Sequence, residues 1–474
     1  MLGTLAAMAV IATIEMDERD WSETARADIE FIHQQTRDHH PGPRDRENPD
    51  FEATMDDAYR RGMALADEAE TQAGYAMALY AYAASYRDGH YGVRVERGIE
   101  HYQWPGFITT RVGGQWFAHS RTDETAEIDG WRIESCDGRD LDDWMEERVF
   151  AFYGNPALGA DWGRRAAQLM VDRGNPFVAR PVRCELSNDD TSRSVELDWQ
   201  PVGIDPWWDI ALEVSRPQPA PWGLREVAPG SFWIGAPTFG PRGDDLATMQ
   251  ALIADIQAHA SELRSADRIV FDVRGNNGGS SDWGDQMVAA IWGEDYAAYR
   301  SPAESAGVDY RISEENIEHV RWIIDLTVDQ DMPEAEVYFR EVLEGMLAAD
   351  AAGADFYVER REETDPAPAA ENPVDAQVYF LTDGACGSAC LDFADRMYAL
   401  GGVVHIGSET VADSDYMELR TIDFPSGLGS LGLPIKVYRG RPRASGQSYV
   451  PEIPYTGTDW STAALEAWVL SLED

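Results

Sequence analysis

The chain has 474 residues, a formal net charge of −46 and a pI near 4.4, and its acidic residues are spread over the whole length. Binding of nucleic acid requires a basic face, so nucleic acid is excluded as an expected partner. No apolar run is long enough to cross a bilayer, and the length allows two or three domains. Lysine occurs once, at Lys436, which fits either a salty medium or a codon bias toward arginine.

The chain begins with a short apolar segment. Residues 1–13 are small and apolar with an alanine-rich end, like the central part of a signal peptide, but no Lys or Arg precedes them. A buried first strand or helix is the alternative, so this segment alone leaves export open.

Helical periodicity extends over residues 17–85, with one apolar face through Ile29 and Ile32. A loop interrupts the pattern at His39 and His40. No acid or third histidine stands at ligand spacing from this pair, so we predict a solvated turn and not a metal site.

The helical region ends at an Asp-Gly turn that places His90 at the start of a predicted strand over residues 93–95. Residues 104–202 then alternate apolar and polar residues and are rich in turns, which indicates a small β-rich module. A proline-rich linker, residues 217–222, separates this module from an α/β core.

Within the core, a buried apolar strand ends in Asp272 and is followed by RGNNGG, residues 274–279. These glycines let backbone N–H groups close on a ligand, which suits an oxyanion hole. Asp272 and Arg274 are predicted to brace the turn through an internal ion pair. Residues 301–372 add amphipathic helices and an acidic, proline-rich end, which fits an insertion that acts as a lid.

The stretch QVYFLTDGACGSACLDFADRM, residues 377–397, predicts a strand, a tight turn and a helix. Ser388 lies at the tip between Gly387 and Ala389, so little side-chain bulk keeps a substrate carbonyl from its hydroxyl. The free N–H groups and the dipole of the helix start favour an anion there. Ser388 is therefore placed for acyl transfer; the alternative is that it only caps the helix.

The chain has four cysteines. Cys386 and Cys390 flank Ser388 at i, i+4 spacing, and no further ligands accompany them, so we expect small apolar packing residues that support the turn and take no part in catalysis. Cys136 and Cys184 pair only in an oxidising compartment, and the sequence leaves their state open.

Together these motifs resemble the C-terminal (tail-specific) processing serine peptidases, most of all the tricorn-core and interphotoreceptor retinoid-binding protein-like branch. The resemblance rests on RIVFDVRGNNGG, on Ser388-Ala389 at a later strand–turn–helix, on Asp-Gly-His at residues 88–90, and on the tail RPRASGQSYVPEIPY, residues 441–455. The strand pair at residues 128–138 resembles that of a PDZ domain.

The resemblance implies an α/β fold with a protease core of the crotonase or ClpP type. It implies an N-terminal helical domain in residues 1–100, a PDZ-like module in 101–215 and the core in 216–474. The implied activity is serine-type hydrolysis of peptides or unfolded proteins, with no metal or organic cofactor. The implied roles are nucleophile for Ser388, general base for His90, and oxyanion-hole N–H donors at Gly278 and Ala389.

The tail departs from the family pattern, because the glutamate that orients the histidine in the tricorn branch is missing. The candidates for that role are Gln447, Ser445 and Glu409, with Asp413 as a further acid. The family's bacterial members are mostly exported, which favours the periplasm or cell envelope over the cytoplasm. Nothing in the sequence indicates the oligomeric state.

Three alternatives stay open. The tail-specific branch uses a lysine base, but Lys436 follows Ser388 at a longer interval than that branch has and lies in a segment typical of a strand. A catalytically silent binding protein on the same scaffold, as in the retinoid-binding repeats, would account for the missing glutamate. An acyl-CoA enzyme of the crotonase type shares the core fold, although a serine at the turn with an upstream histidine argues against it.

Overall fold

The computed structural model describes residues 19–215, 218–301, 307–329, 332–360, 367–441, 443–457 and 459–472. The apolar segment of residues 1–13 lies outside these ranges, so its interpretation as a signal peptide stays a prediction. Within the described ranges, no helix is both long enough and apolar enough to cross a membrane.

The predicted helical region is confirmed. It consists of three helices, α1 (Trp21–His39), α2 (Phe51–Asp67) and α3 (Gln72–Ala84), with a 3₁₀ turn at Gly42–Arg44. The predicted apolar face of α1 is fully buried at Ile29 and Ile32, which share one core with residues of α3.

The solvated turn predicted at His39 and His40 is wrong, since the two side chains are buried. The Nδ1 atom of His40 accepts a hydrogen bond from the Gly42 N–H at 2.9 Å, and its ring stacks on Phe51 with centroids 4.7 Å apart. Burial lowers the pKa of His40 to about 3, so the ring is neutral. Among the described residues, no cluster of three or more His, Cys, Asp or Glu side chains is able to hold a metal ion.

The β-rich module has a five-stranded antiparallel sheet in the order β3-β4-β5-β6-β7, so β3 is an edge strand. A disulfide between Cys136 and Cys184 joins two directly paired residues of β5 and β6. The strands of the module are β2 (His101–Trp104), β3 (Phe107–Val112), β4 (Gln115–Ser120), β5 (Arg132–Cys136), β6 (Arg183–Ser187), β7 (Ser192–Glu196) and β8 (Gln200–Gly203). Its helices are α4 (Leu141–Met145, continued by a π-helical turn Glu146–Phe150), α5 (Gly159–Arg165) and α6 (Ile204–Ser215), with 3₁₀ turns at Asp123–Ile128 and Ala166–Gln168.

The α/β core is a six-stranded sheet in the order β18-β15-β14-β11-β10-β9. Neighbouring strands are parallel except for β9, and helices cover both faces, so β10 and β11 are buried along their full length. The strands are β9 (Gly223–Ala228), β10 (Ser231–Gly235), β11 (Arg268–Asp272), β14 (Gln377–Thr382), β15 (Val403–Gly407) and β18 (Ile453–Pro454). The helices are α7 (Asp244–Ala258), α8 (Ala260–Arg264), α9 (Asp282–Trp292), α10 (Glu294–Tyr299), α13 (Ala389–Leu400) and α14 (Thr462–Leu470).

A second sheet is formed by strands from distant parts of the chain. Its order is β1-β17-β12-β13, with β16 also paired to β17, and its strands are β1 (Gly92–Val95), β12 (Gly307–Arg311), β13 (Phe356–Arg360), β16 (Tyr416–Asp423) and β17 (Gly429–Arg439). The predicted insertion carries the helices α11 (Glu314–Asp329) and α12 (Pro333–Ala351), but it also contributes β12 and β13 to this sheet, which the sequence pattern did not predict. The strand that follows His90 is therefore anchored by the C-terminal half of the chain.

Candidate active site

The turn between β14 and α13 holds Ser388 in an unusual backbone conformation, with φ 54° and ψ −125°. Few non-glycine residues adopt a positive φ, and a strained serine between a strand and a helix is typical of a nucleophile elbow. Ser388 occupies the N-cap position of α13, but its side chain makes no capping hydrogen bond. Its hydroxyl is therefore available for chemistry, which speaks against a role in capping alone.

The glycine turn after β11 packs directly on this elbow. Strands β11 and β14 are parallel neighbours, with Asp272 opposite Leu381, so both turns follow the same edge of the sheet. A Cβ atom on Gly278 would lie 2.7 Å from the Cβ of Ser388 and 2.9 Å from the backbone N of Ala389. Gly278 and Ser388 therefore lie together at adjacent strand ends.

The two predicted N–H donors differ in their present partners. Ala389 is the first residue of α13, where backbone N–H groups have no intrahelical acceptor. The Gly278 N–H donates to Oδ1 of Asn276 at 3.0 Å. Asn276 is fully buried and also donates to the Ala236 carbonyl at 3.0 Å, so it fixes the glycine turn from below.

Asp272 and Arg274 form the predicted internal ion pair. Both are fully buried, and the guanidinium donates to the carboxylate through Nε at 2.9 Å and Nη2 at 2.7 Å. Arg274 also donates to the Trp460 carbonyl at 2.8 Å. The pair therefore braces the turn and does not face a substrate.

Asp383 links the two turns, a role that sequence reasoning missed. Its buried carboxylate accepts the Gly275 N–H at 3.0 Å and the Ala385 N–H at 2.9 Å. Burial raises the pKa of Asp383 to about 6, and the two N–H donors oppose that shift. An Asp-Gly pair directly after a strand was the signal available in the sequence.

Cys386 and Cys390 form a disulfide, a state that the sequence left open. Both are fully buried in the core cluster beneath the elbow, so the predicted packing role stands. The bond joins positions two residues before and two residues after Ser388, and it therefore closes a small loop around the serine.

His90 follows the Asp-Gly turn at the start of β1, as predicted. The backbone N–H of His90 donates to Oδ1 of Asp88 at 2.8 Å, and the same oxygen lies 4.0 Å from Nδ1 of the ring. Nδ1 is buried and makes no hydrogen bond within the described residues. The other oxygen of Asp88 accepts the Ser414 hydroxyl at 2.8 Å, and burial raises the pKa of this carboxyl.

Ser388 and His90 line one cavity of about 400 Å³ between the core, the α3–β1 turn and the β-rich module. Its wall also includes Asp88, Arg87, Arg164, Arg165, Asp161, Asn277 and Asp413. None of the described residues of the insertion, 301–372, belongs to this wall. The structure thus brings together the serine, the histidine and the start of α13.

The remaining predicted site residues lie elsewhere. Lys436 is buried on β17 with its Nζ atom 3.5 Å from Glu418. Burial disfavours the charge of Lys436, but Tyr438 and Glu418 together raise its pKa above the usual value, so it is a poor base. Glu409 accepts the Ser448 hydroxyl and faces a neighbouring cavity. The exposed Ser445 and Gln447 bond to the backbone of Asp415 and Ala444.

A serine at a strained strand–helix turn, in one cavity with a histidine, is the arrangement of a serine-type peptidase. Comparison with known proteins gives the same class. Residues 239–442 match the family model described as Peptidase family S41. The chain is a serine-type peptidase, and its residues 239–442 are similar to peptidase family S41.

Two solved structures have a fold similar to that of this chain. The structure of mature CPAF is similar with a TM-score of 0.61 at 14% identity, over 92% of this chain and 93% of that chain. The structure of mature CPAF complexed with lactacystin is similar with a TM-score of 0.59 at 14% identity, over 92% and 94% of the two chains. At this identity the likeness concerns the fold alone. No curated protein matches the chain in sequence.

Proposed function

We propose that the chain hydrolyses peptide bonds through an acyl-enzyme on Ser388, with His90 as the general base. The observation that carries the proposal is that an uncapped serine with φ 54° lines the same cavity as a histidine. Serine is a weak nucleophile until an adjacent base accepts its proton, and His90 is the base that this cavity offers.

In the first step His90 accepts the hydroxyl proton while Ser388 Oγ bonds to the carbonyl carbon of the scissile peptide. The C–N bond then breaks, His90 gives its proton to the leaving amine, and an ester stays on Ser388. Water that loses a proton to His90 adds to this ester. The resulting tetrahedral intermediate breaks down, which releases the carboxylic acid product, and His90 returns its proton to Ser388 Oγ.

The negative oxygen of each tetrahedral intermediate is stabilised by backbone N–H groups near Ala389 and Gly278. The N–H of Ala389 supports this role, because it is the first of α13 and the helix dipole adds to its field. Gly278 joins as a second donor when its bond to Asn276 opens.

Asp88 takes the place of the missing glutamate as the positioning residue for His90. Its carboxylate is fixed by the His90 N–H and the Ser414 hydroxyl, and Oδ1 lies 4.0 Å from the unpartnered Nδ1. A small rotation of the His90 imidazole brings Nδ1 within hydrogen-bond distance of Oδ1 of Asp88. Nδ1 then faces Asp88, and Nε2 is left for Ser388.

The β-rich module is PDZ-like and presents the substrate. Its edge strand β3 borders a second cavity of about 580 Å³, and Arg164 lines both cavities, which supports a continuous path for a peptide. An unfolded protein bound to a Ser388→Ala variant should protect the amides of Phe107–Val112 from hydrogen exchange. Unchanged exchange in this strand would count against the assignment.

The protein acts outside the cytoplasm, in the periplasm or cell envelope. The two disulfides support this location, because such bonds persist in oxidising compartments. Fractionation of the producing cells tests it, and recovery of the chain only in the cytoplasm would contradict it.

Hydrolysis of an unstructured protein tests the activity. Wild type should generate fragments, while Ser388→Ala and His90→Ala should each lose nearly all activity and the double variant should be little worse, because the residues act as a unit. Lys436→Met should keep most of the activity. If Lys436→Met were inactive and His90→Ala active, His90 would not be the base.

A further inference from the structure

Asp383, the carboxylate that links the two turns beside Ser388, is buried without a cationic partner. It is 2% exposed, and no Lys, Arg or His among the described residues forms an ion pair with it. The charge of Arg274 favours its ionised form, but that guanidinium group is already paired with Asp272. A buried carboxylate is costly unless hydrogen bonds offset the loss of water. The hydrogen bonds that Asp383 accepts are therefore what keeps this charge in place.

These hydrogen bonds join the glycine turn (residues 274–279) to the elbow (residues 383–388). One oxygen, Oδ2, accepts the Gly275 N–H at 3.0 Å, and the other, Oδ1, accepts the Ala385 N–H at 2.9 Å. Among the described residues, the bond to Gly275 is the only hydrogen bond between the two turns. The relative position of the turns therefore depends on Asp383 in addition to their packing.

The proposed oxyanion donors lie on the same two turns. The Gly278 N–H belongs to the glycine turn, and the Ala389 N–H follows the elbow at the start of α13. Stabilisation of an oxyanion requires donors that are held in place before the reaction, and a displacement of about 1 Å costs on the order of 10²-fold in rate. The bond between Asp383 and Gly275 is therefore placed to fix the distance between the two donors.

The surroundings of Asp383 allow it to change charge near neutral pH. Burial raises its pKa to about 6; the two N–H donors and Arg274 oppose this shift, and Asp272 adds to it. On the neighbouring strand β15, burial lowers the pKa of His405 to about 4, so this ring is neutral where Asp383 titrates. On α5, the aliphatic part of the Arg164 side chain lies beside the elbow. The carboxyl of Asp383 is thus ionised above about pH 7 and protonated below about pH 5.

We propose that Asp383 is a positioning residue for the oxyanion hole, because its ionised carboxylate holds the glycine turn against the elbow. This inference rests on the proposed function and adds a residue to its site. When the carboxyl takes up a proton, one oxygen becomes a hydroxyl and no longer accepts an N–H as a carboxylate oxygen does. The bond to Gly275 is then lost, since the bond to Ala385 is local to the elbow. Substrate binding is kept, whereas stabilisation of the oxyanion falls.

Asp383→Asn tests the proposal, because the amide matches the protonated carboxyl in shape and charge and keeps one acceptor. At about pH 8 the variant should have a kcat about tenfold below that of wild type, with little change in KM. The ratio of the two kcat values should fall toward 1 as the pH is lowered to about 5, with a midpoint at about pH 6, because wild-type Asp383 then becomes neutral as well. Protonation of His90 or Asp88 affects both proteins alike and cancels in the ratio.

The matched control is Asp137→Asn. Asp137 also accepts two backbone N–H groups, those of Val182 and Arg183, each at 2.9 Å, and it lies outside both cavity walls. The kcat of this variant should equal that of wild type at every pH. A wild-type kcat in Asp383→Asn at alkaline pH, or a ratio that does not change with pH, would overturn the positioning role.

Hydrogen exchange of the Gly275 amide, corrected for its intrinsic pH dependence, measures the link without hydrolysis. The amide should exchange faster in Asp383→Asn and in wild type at acid pH than in wild type at alkaline pH. The comparison within wild type needs no variant, so it holds even where Asp383→Asn folds poorly. Equal protection under all these conditions would overturn the role of Asp383. If wild type hydrolyses no peptide, the proposed function fails, and exchange at Gly275 still decides whether Asp383 holds the two turns together.

Discussion

At Ser388 the backbone adopts a φ of 54°, a conformation that costs a non-glycine residue on the order of 1–3 kcal/mol. The surroundings hold it there. Gly278 packs against the Cβ of the serine from one side, and the Cys386–Cys390 disulfide closes a loop around it from below. In this conformation the Ser388 side chain makes no hydrogen bond to the free N–H groups of α13, which an N-cap serine usually caps.

Gly278→Ala is predicted to inactivate the protein. The added methyl would lie 2.7 Å from the Cβ of Ser388 in a backbone with φ 99°, so either the glycine turn or the elbow must move. Because a displaced nucleophile loses its alignment with base and oxyanion donors, kcat/KM should fall about 10²-fold or more. Peptide hydrolysis measured beside circular dichroism checks it.

The control is Gly432→Ala, because an added Cβ at Gly432 meets only the Gly92 carbonyl oxygen within 4 Å, at an ordinary contact distance of 3.7 Å, and Gly432 lines neither cavity. It should retain activity. A fully active Gly278→Ala would show that contact between the glycine turn and the elbow is unimportant.

Asp88→Asn is predicted to lower kcat with little change in KM. The amide oxygen still accepts the His90 N–H, so the turn should persist, but the charge that favours an imidazolium beside Nδ1 is lost. We expect a fall of about 10²-fold or more, by analogy with loss of a triad carboxylate. The activity–pH profile should also shift, which a purely structural role would not cause.

The control for this change is Asp172→Asn, because Asp172 accepts the Gly174 N–H at 2.8 Å in a similar turn and is not part of the cavity wall. Activity should be unaffected. An Asp88→Asn variant with the wild-type pH profile would remove Asp88 from the mechanism.

At the scale of elements, the disulfide between Cys386 and Cys390 joins the turn after β14 to the first turn of α13. A cross-link over four residues contributes about 2 kcal/mol to stability by its loop entropy. Replacing both cysteines by alanine should therefore lower stability by about this amount and reduce kcat severalfold without abolishing it. Denaturant unfolding and peptide hydrolysis measure the two effects.

The disulfide between Cys136 and Cys184 is the internal comparison. It spans 48 residues in the β-rich module, so its removal should cost about 4 kcal/mol by the same reckoning. The folded fraction should keep the wild-type kcat. Loss of all hydrolysis in a well-folded Cys386→Ala, Cys390→Ala variant would instead give these cysteines a part in the chemistry.

Local patterns predicted the elements that carry the site. Strand β14, the turn and α13 follow from a β-branched run, an Asp-Gly turn and helical spacing, all within residues 377–397. The two glycine-bearing turns predicted a shared oxyanion site, and the parallel pairing of β11 with β14 brings these turns to one edge of the sheet. These features depend on sequence neighbours and on one rule of sheet geometry.

Features that depend on distant residues were not predictable. Strands β12 and β13 were missed because their partner β17 lies far along the chain. His39 and His40 were assigned to solvent because nothing local shows that Phe51 and Tyr416 cover His40. Asp88 was visible in the sequence, but its distance to Nδ1 of His90 required the folded turn.

At the scale of the whole molecule, buried polar contacts join the N-terminal helices to the C-terminal strands. Arg439 bonds to Asp45 and Asp309, and His40 contacts Phe51 and Tyr416. These contacts surround the sheet that carries β1 and therefore hold His90 in place relative to the core. Protonation of His40 at acid pH should therefore weaken the contacts between the N-terminal helices and the C-terminal strands.

The pKa of His40 is lowered from 6.5 to about 3, so its stabilising effect is present above pH 6.5 and is lost as the pH falls toward 3. As the pH falls from about 7 to about 4.5, the contribution of His40 to the free energy of unfolding should fall by up to about 3 kcal/mol. His40→Phe should be less stable at neutral pH, because the Gly42 N–H loses its acceptor, yet lose less stability on acidification.

The exposed His101 supplies the control. Unfolding of wild type, His40→Phe and His101→Asn is compared at the two pH values. Equal acid-induced losses in wild type and His40→Phe would show that His40 is not the group responsible.

The most direct test of the account is covalent labelling with a fluorophosphonate, followed by mass spectrometry of the adduct. Ser388 should carry the label in wild type and in Lys436→Met, because its hydroxyl is activated by His90 and not by Lys436. Ser388→Ala should not label, and His90→Ala should label at least about 10²-fold more slowly. A label on another residue, or wild-type labelling rates in His90→Ala, would contradict the assignment of Ser388 and His90.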